Sequence, residues 1–377
     1  MNEPRQRHRA FTDSVLVPAA ESFDLTGRIP ENILKLLAQE GYWGSVISRA
    51  SGGTGAGMTD FAVLHEEVGR GCSSVRSLLT VHSMVLFALA RWGSPAARDR
   101  WFAPMVDGDL RGAFCLSEAA AGSDVSLIAT VAERTADGYL LNGTKKWTTG
   151  GQIADLLLVF ARGERGISAF LVEADRPGVE RVPVDGMLGT RGSMLAEIRF
   201  RDCKVDPDAL IGAQGMGPAV VAGVLDIGRL SVAAGSVGII QACLDASVTH
   251  ASNRVQGGAP LREHQLVQRM IARMSVDAQA ARLLCLEAAR LKEAGDPRTI
   301  AATCTAKYFA ATGAMRAAED AVQIHGAQGC AEGAAVGRFF RDAKVMEIIE
   351  GSTQIQELLI AQDAVLNRGV PAGTGRP

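Results

Sequence analysis

Near the C-terminus, Glu350 stands in the run VMEIIEGS, after Met346, Ile348 and Ile349 and before Gly351. An apolar setting strips water from a carboxylate and penalises its charged form. The pKa rises, and an ordinary acid becomes a base for weakly acidic protons. The bland alternative is a solvated glutamate at a helix end. Arg76 is a second candidate, the one arginine in the apolar run CSSVRSLLTVHSMV (72–85). Its planar guanidinium suits a carboxylate in a dry pocket, and the alternative is a cation on an exposed helix face. Two further segments, FCLSEAAAGSD (114–124) and NGTKKWTTGG (142–151), combine Ser117, Ser123 and Thr149 with Trp147 and the small residues Ala119–Gly122. Small residues let a backbone approach a ligand closely, and hydroxyls supply donors to it. Turn formers and a core tryptophan are the structural alternative.

Other chemistries are disfavoured. The seven cysteines, Cys72, Cys115, Cys203, Cys243, Cys285, Cys304 and Cys330, form no CxxC and no paired His/Cys spacing. They read as reduced core thiols of a cytoplasmic protein, without a structural metal. A net charge of −2 leaves no basic footprint for nucleic acid. The longest apolar stretch, around Pro218–Ile240, is broken by Asp226 and Arg229, so no membrane span is expected. The N-terminal MNEPRQRHRAF lacks the apolar segment of a secretory signal. The glycine-rich GGTGAG at 52–57 has no strand before it and no Lys-Ser/Thr after it, and reads as a flexible surface loop.

The elements that must position these residues change texture twice. With 377 residues, 47% hydrophobic and 21% charged, the chain is globular and large enough for two or three packed units. Residues 1–111 read as helices. Pro30 opens one carrying Ile33, Leu34, Leu36 and Leu37, which Gly41 closes, and Ser94-Pro95 starts another. Residues 112–212 read as a β domain. Asp137-Gly138 and Asn142-Gly143 are tight-turn signals, and DLLLVF, ISAFLVE and AEIRFRDCKV are short strand-like runs. Residues 213–366 read as a four-helix bundle over 226–255, 264–294, 297–324 and 338–366, and residues 367–377 as a frayed tail.

Four segments in register, 114–124, 142–151, NRVQGGAPLREHQ (253–265) and VQIHGAQG with RDAKVMEIIEGSTQIQ (322–329 and 341–356), resemble the acyl-CoA dehydrogenase family over nearly the whole chain. The resemblance implies a mainly α fold with a central β-barrel, built from an N-terminal helical domain, a middle β domain and a C-terminal four-helix bundle around FAD. It also implies a homo-oligomer, a dimer or tetramer. It makes Glu350 the base that takes a Cα proton from an acyl thioester while hydride leaves Cβ for the flavin. It carries FAD contacts to Phe114, Leu116, Ser117, Ser123, Trp147, Thr149, Arg254, Gln265, Gln323, Gly326, Ser352 and Gln354. The substrate side receives Arg76, Ser123, Arg229 and Gly351, and Glu118 is left as structural. Two positions depart from the family pattern: Gly257 stands where an aromatic is usual, and Gly326-Ala327 replaces Gly-Gly.

The run 72–85 is similar to glutaryl-CoA dehydrogenases, in which an arginine binds a distal carboxylate. Together with MEIIEGS it also resembles a subgroup acting on carrier-protein-bound three-carbon units for polyketide extenders (hydroxymalonyl, methoxymalonyl or aminomalonyl). The expectation is therefore a short polar acyl thioester, on a carrier protein rather than CoA, with the electron acceptor left open. A short-chain or glutaryl acyl-CoA dehydrogenase is the competing enzyme. A non-catalytic flavin-binding subunit and a flavin monooxygenase of the same fold are disfavoured by the retention of Glu350.

Overall fold

The computed structural model describes residues 2–368. The N-terminal region comprises α1 (Asn2–Phe11), α2 (Val17–Thr26), α3 (Glu31–Gln39), α4 (Met58–Gly71), α5 (Ser73–Trp92) and α6 (Pro95–Asp107). Pro30 is the extended N-cap of α3, which buries Ile33, Leu34 and Leu37. The Ser94 hydroxyl accepts the Ala97 N–H at the start of α6, with Pro95 at the first helical position. The segment 52–57 is not the loose loop expected. A Cβ on Gly53 would lie 2.3 Å from Ile47 O, and one on Gly55 2.1 Å from Ser45 O, so two chain segments pack backbone to backbone there.

The middle region holds β1 (Gly112–Cys115), β2 (Val131–Thr135), β3 (Gly138–Thr148), β4 (Leu156–Gly163), β5 (Gly166–Glu173), β6 (Val179–Pro183), β7 (Ala196–Val205) and β8 (Leu210–Ile211). They form one sheet in the order β6-β7-β3-β2-β4-β5-β8, with β1 parallel to β4. Asp137 ends the two-residue loop that pairs Thr135 with Gly138, as expected. Asn142-Gly143 is no turn. It lies within β3 at a register shift, where Gly143 has φ 148° and a Cβ would strike Thr130. Along β4, Leu156, Leu158 and Phe160 join the core shared with the helices, while Leu157, Val159 and Ala161 join a second core on the other face. That alternation is the period of two that seats the sheet against the bundle.

The C-terminal region contains α7 (Gly217–Asn253), a small hairpin of β9 (Val255–Gln256) and β10 (Ala259–Pro260), α8 (Gln265–Glu293), α9 (Thr299–His325), α10 (Ala335–Ile348) and α11 (Thr353–Arg368). Helix α7 starts nine residues before the expected 226 and is apolar on nearly every side, since it packs against α4, α5, α8, α9 and the sheet. The fourth expected bundle helix is two. It breaks between Ile348 and Thr353, at Glu350. Helix α11 passes the expected bundle end at 366, and residues 369–377 of the expected tail lie outside the described residues. All seven cysteines are free, six of them buried, but Cys330 is exposed and is no core thiol.

Candidate active site

The break between α10 and α11 is what presents Glu350. Glu350 has φ 55° and Gly351 φ 92°, a left-handed pair that reverses the chain. Such a φ disfavours a residue with a Cβ, so the surroundings must hold it. Lys307 Nζ, from α9, donates to Gly351 O at 2.7 Å and Glu347 O at 3.3 Å. Gln356 Nε2 donates to Gly351 O at 3.0 Å and Glu350 O at 3.3 Å, and Arg229 Nε donates to Glu350 O at 3.3 Å. These donors satisfy carbonyls that a terminating helix leaves without partners. Lys307 and Gln356 are fully buried, so the brace sits inside the protein.

The turn directs the carboxylate inward, onto α7. A Cβ on Gly228 would lie 2.5 Å from Glu350 Oε2 and 3.0 Å from Met84 Sδ, so the carboxylate rests on bare helix backbone beside a thioether. The residue is half-buried as a whole, but Oε2 is shut off from solvent and has no hydrogen-bond partner among the described residues. Burial pushes Glu350 up to about 7, against the opposing pull of Arg229, Arg76 and Lys307. Desolvation therefore outweighs three cations, which leaves a carboxylate poised between its charged and neutral forms near neutral pH. The cations respond in kind. Burial lowers Lys307 to about 8 and Arg76 to about 10, with Glu350 the first group opposing each shift.

Arg76 is fully buried on α5, not on an exposed helix face. Its Nη1 donates to Thr80 Oγ1 at 2.9 Å and its Nη2 to Ser77 Oγ at 2.8 Å and Met346 Sδ at 3.2 Å. Nε has no partner among the described residues. A buried guanidinium held by two hydroxyls and a thioether, with no carboxylate among those partners, retains charge for another group.

The segments 114–124 and 142–151 lie side by side. Lys146 N–H donates to Ser117 O at 2.8 Å, and buried Lys145 Nζ donates to Leu116 O at 3.1 Å and Glu118 Oε1 at 2.7 Å. Glu118 also accepts from Ala129 N–H, Thr130 N–H and the Thr130 hydroxyl, so it is structural, as expected. Trp147 follows with φ 61°, a left-handed backbone that leaves its indole 54% exposed on an otherwise ordered strand. Phe114, Ser117 and Thr149 are half-buried beside buried Leu116, and Ala119, Ala120, Gly122 and Ser123 are exposed, with nothing within 4 Å of a Cβ on Gly122. An outward indole, hydroxyls and an open small-residue turn fit a flat, phosphate-bearing cofactor.

Arg254, Gln265, Gln323 and Gly326 gather elsewhere. They sit at the C-terminus of α7, the N-terminus of α8 and the C-terminus of α9, one end of an antiparallel bundle, and all are exposed. His250 and His325, with ring centroids 4.2 Å apart, join the α7 and α9 ends there. Ser352 is half-buried and Gln354 exposed at the start of α11.

The chain matches the acyl-CoA dehydrogenase N-terminal domain over residues 2–109, the middle domain over 113–203 and the C-terminal domain over 215–365. The chain belongs to the acyl-CoA dehydrogenase family. It is 36% identical over 363 residues to the mitochondrial short-chain specific acyl-CoA dehydrogenase of Rattus norvegicus, covering 95% of this chain and 88% of that one. It superposes on a glutaryl-CoA dehydrogenase solved with glutaryl-CoA (TM-score 0.92, 33% identity, 100% and 98% covered). It also superposes on FkbI, for biosynthesis of the methoxymalonyl extender unit of the FK520 polyketide (TM-score 0.87, 33% identity, 95% and 99% covered). As an acyl-CoA dehydrogenase the protein is an FAD-dependent oxidoreductase acting on acyl thioesters. When bound, FAD supplies the hydride acceptor. Phe114, Leu116, Ser117, Trp147 and Thr149 are the residues that would hold its ring system.

Three site features add to the sequence reading. Arg229, placed on the substrate side, braces the Glu350 carbonyl and also reaches Cys304 Sγ at 3.7 Å. Gly351, placed on the substrate side, is required to be glycine by its φ and by Gln356 Nε2, 2.7 Å from where a Cβ would stand. Lys307 and Gln356 were missed, because a lysine 43 residues from Glu350 carries no local signal. The GST after Glu350 was the available clue to the break.

Proposed function

We propose that this acyl-CoA dehydrogenase oxidises a short polar acyl thioester, on a carrier protein in preference to CoA, in the making of a polyketide extender unit. The observation that carries the reading is Arg76, a fully buried cation with no ion-pair partner among the described residues and with Glu350 as the foremost acidic group acting on it. An apolar acyl chain would leave that charge uncompensated, whereas a carboxylate, hydroxyl or aldehyde oxygen would meet it. Likeness to FkbI, for the methoxymalonyl extender unit, and to a glutaryl-CoA dehydrogenase supports it, since both acyl groups have a polar end.

In this reading Glu350 removes the proton, from Cα in a dehydrogenation or from O–H if the substrate is an alcohol or aldehyde hydrate. Its Oε2 is dry and unpartnered, so the proton goes to a group whose alternative is an unsolvated charge. The brace by Lys307, Gln356 and Arg229 keeps the carboxylate at one position while it changes charge. Val276 and Leu283, seven residues apart and both more than 60% exposed on α8, supply an apolar stripe for a homo-oligomeric contact. We place the enzyme in the cytoplasm, on its seven free cysteines, six of them buried.

A second reading is a short-chain acyl-CoA dehydrogenase, favoured by the 36% identity to that enzyme. Butyryl-CoA, glutaryl-CoA and glyceryl-derived carrier-protein thioesters assayed side by side separate the two. The carrier-protein substrate should turn over fastest, and a clear preference for butyryl-CoA overturns the proposal.

A further inference from the structure

Arg76 is one end of a buried polar chain that runs from α5 through α7 to α4. Its Nη1 meets Thr80 Oγ1, which lies 2.5 Å from Ser231 Oγ on α7, which in turn lies 2.7 Å from His65 Nδ1 on α4. Relative exposures along the chain are 0% for Arg76, 2% for Thr80, 0% for Ser231 and 0% for His65. The three helices come this close because they meet at glycines. A Cβ on Gly69 would lie 2.6 Å from the Gly235 Cα, and one on Gly235 would lie 2.5 Å from Arg76 Cδ and 2.8 Å from its Nε. Ser231 and Gly235, four residues apart, thus form one face of α7, the first supplying a hydroxyl and the second the groove in which Arg76 lies.

Counting protons assigns the direction of the chain. The guanidinium can only donate, so Thr80 Oγ1 accepts from it. The single Thr80 proton goes either to Arg76 O, 2.8 Å away, or to Ser231. If it goes to Ser231, then Ser231 donates to His65 Nδ1, three bonds form, and a buried Nε2–H is orphaned. If it goes to Arg76 O, then Ser231 donates to Thr80 and His65 Nδ1–H donates to Ser231. Four bonds form, and only an acceptor lone pair on Nε2 lacks a partner. The second order satisfies more groups and leaves the cheaper orphan. Burial keeps His65 neutral, as one donor at Nδ1 requires, and the Phe61 ring packs against it with centroids 4.2 Å apart.

We propose that His65 and Ser231 are positioning residues for Arg76, which fix its guanidinium through Thr80 so that it recognises the polar end of the acyl group. This rests on the reading of Arg76 as the substrate's charge partner. Neither residue touches the substrate, and their effect is confined to the direction in which Arg76 presents its charge.

The test compares FAD-loaded wild type with Arg76→Ala, Ser231→Ala, His65→Phe and His65→Asn. The readout is the ratio of kcat/KM for the preferred carboxylated or aldehyde-bearing thioester to that for butyryl-CoA. Ser231→Ala and His65→Phe should lower the ratio about tenfold through KM of the polar substrate. His65→Asn, which keeps an N–H near the Nδ1 position, should restore most of it. Ser231→Ala removes one oxygen and is the variant least able to disturb folding. Equal losses on both substrates, or no rescue by asparagine, would show a merely structural role and overturn the inference. A ratio unchanged by Arg76→Ala refutes the Arg76 reading itself, and the inference with it. A ratio lowered by Arg76→Ala but not by the other variants refutes the inference alone.

Discussion

Replacing Lys307 by methionine should move the pH dependence of the reaction as well as its rate. Lys307 acts on Glu350 in two ways, through its charge and through its bonds to Gly351 O and Glu347 O. An opposite charge close to a carboxylate lowers its pKa by about 1–3 units. Lys307 is the last of three cations in its effect on Glu350, behind Arg229 and Arg76, so the lower end applies and its removal should raise Glu350 by about one unit. Glu350 stands at about 7, so roughly half of it is ionised at neutral pH. A rise of about one unit leaves roughly one molecule in eleven ionised, a loss of about fivefold in kcat/KM at pH 7 that vanishes above about pH 9. The sign is fixed. Removing a cation disfavours the anion, so the acid limb moves to higher pH. The assay is kcat/KM with an acyl thioester that does not itself ionise, from about pH 5.5 to 9.5, with an artificial electron acceptor. A limb that stays in place while activity falls equally at every pH would make Lys307 a strut without electrostatic effect and refute this reasoning.

Further outcomes follow from the same geometry. Glu350→Gln should lower kcat by about 10²–10⁴-fold. Because Glu350 has a raised folded pKa, its contribution to stability is complete below about 4.5 and is lost as pH rises through about 7. Glu350→Gln should therefore unfold at a higher temperature than wild type at pH 8, an advantage that fades near pH 4.5, as thermal melts would show; a variant that melts lower at pH 8 contradicts it. Gly228→Ala would put a methyl 2.5 Å from Oε2 and displace the carboxylate, so kcat should fall about 10–100-fold with FAD content retained. Loss of FAD in that variant would point to general disruption. Arg76→Ala should raise KM for a polar substrate by about 10–100-fold and also raise the acid limb, since Arg76 acts on Glu350 too. An unchanged KM removes Arg76 from substrate recognition.

The domain order was legible in the sequence because each region repeats its own pattern: a period of 3.6 in α3, of two along the first half of β7, and long uninterrupted runs in α7 to α9. The site was legible only where its residues are close in sequence. Glu350 with its apolar flank, and Trp147 with its neighbours, could be read from short windows. The left-handed backbone at Glu350, the buried lysine beneath it and the His65–Ser231–Thr80 chain could not, because they depend on contacts between residues 44 to 166 apart in the chain. Asn142-Gly143 misled for a related reason. The dipeptide suits a hairpin, but the sheet uses its glycine to bring β3 against Thr130. The split of the last bundle helix was hidden by strong helix formers on either side of four residues.

The most direct test of the account is anaerobic addition of substrate to the FAD-loaded protein, followed at the flavin absorbance near about 450 nm. A short polar carrier-protein thioester should bleach it within the turnover time in wild type, butyryl-CoA should do so more slowly, and Glu350→Gln should hardly respond to either. Bleaching by Glu350→Gln at the wild-type rate, or a wild-type protein that takes up no FAD, would contradict the account.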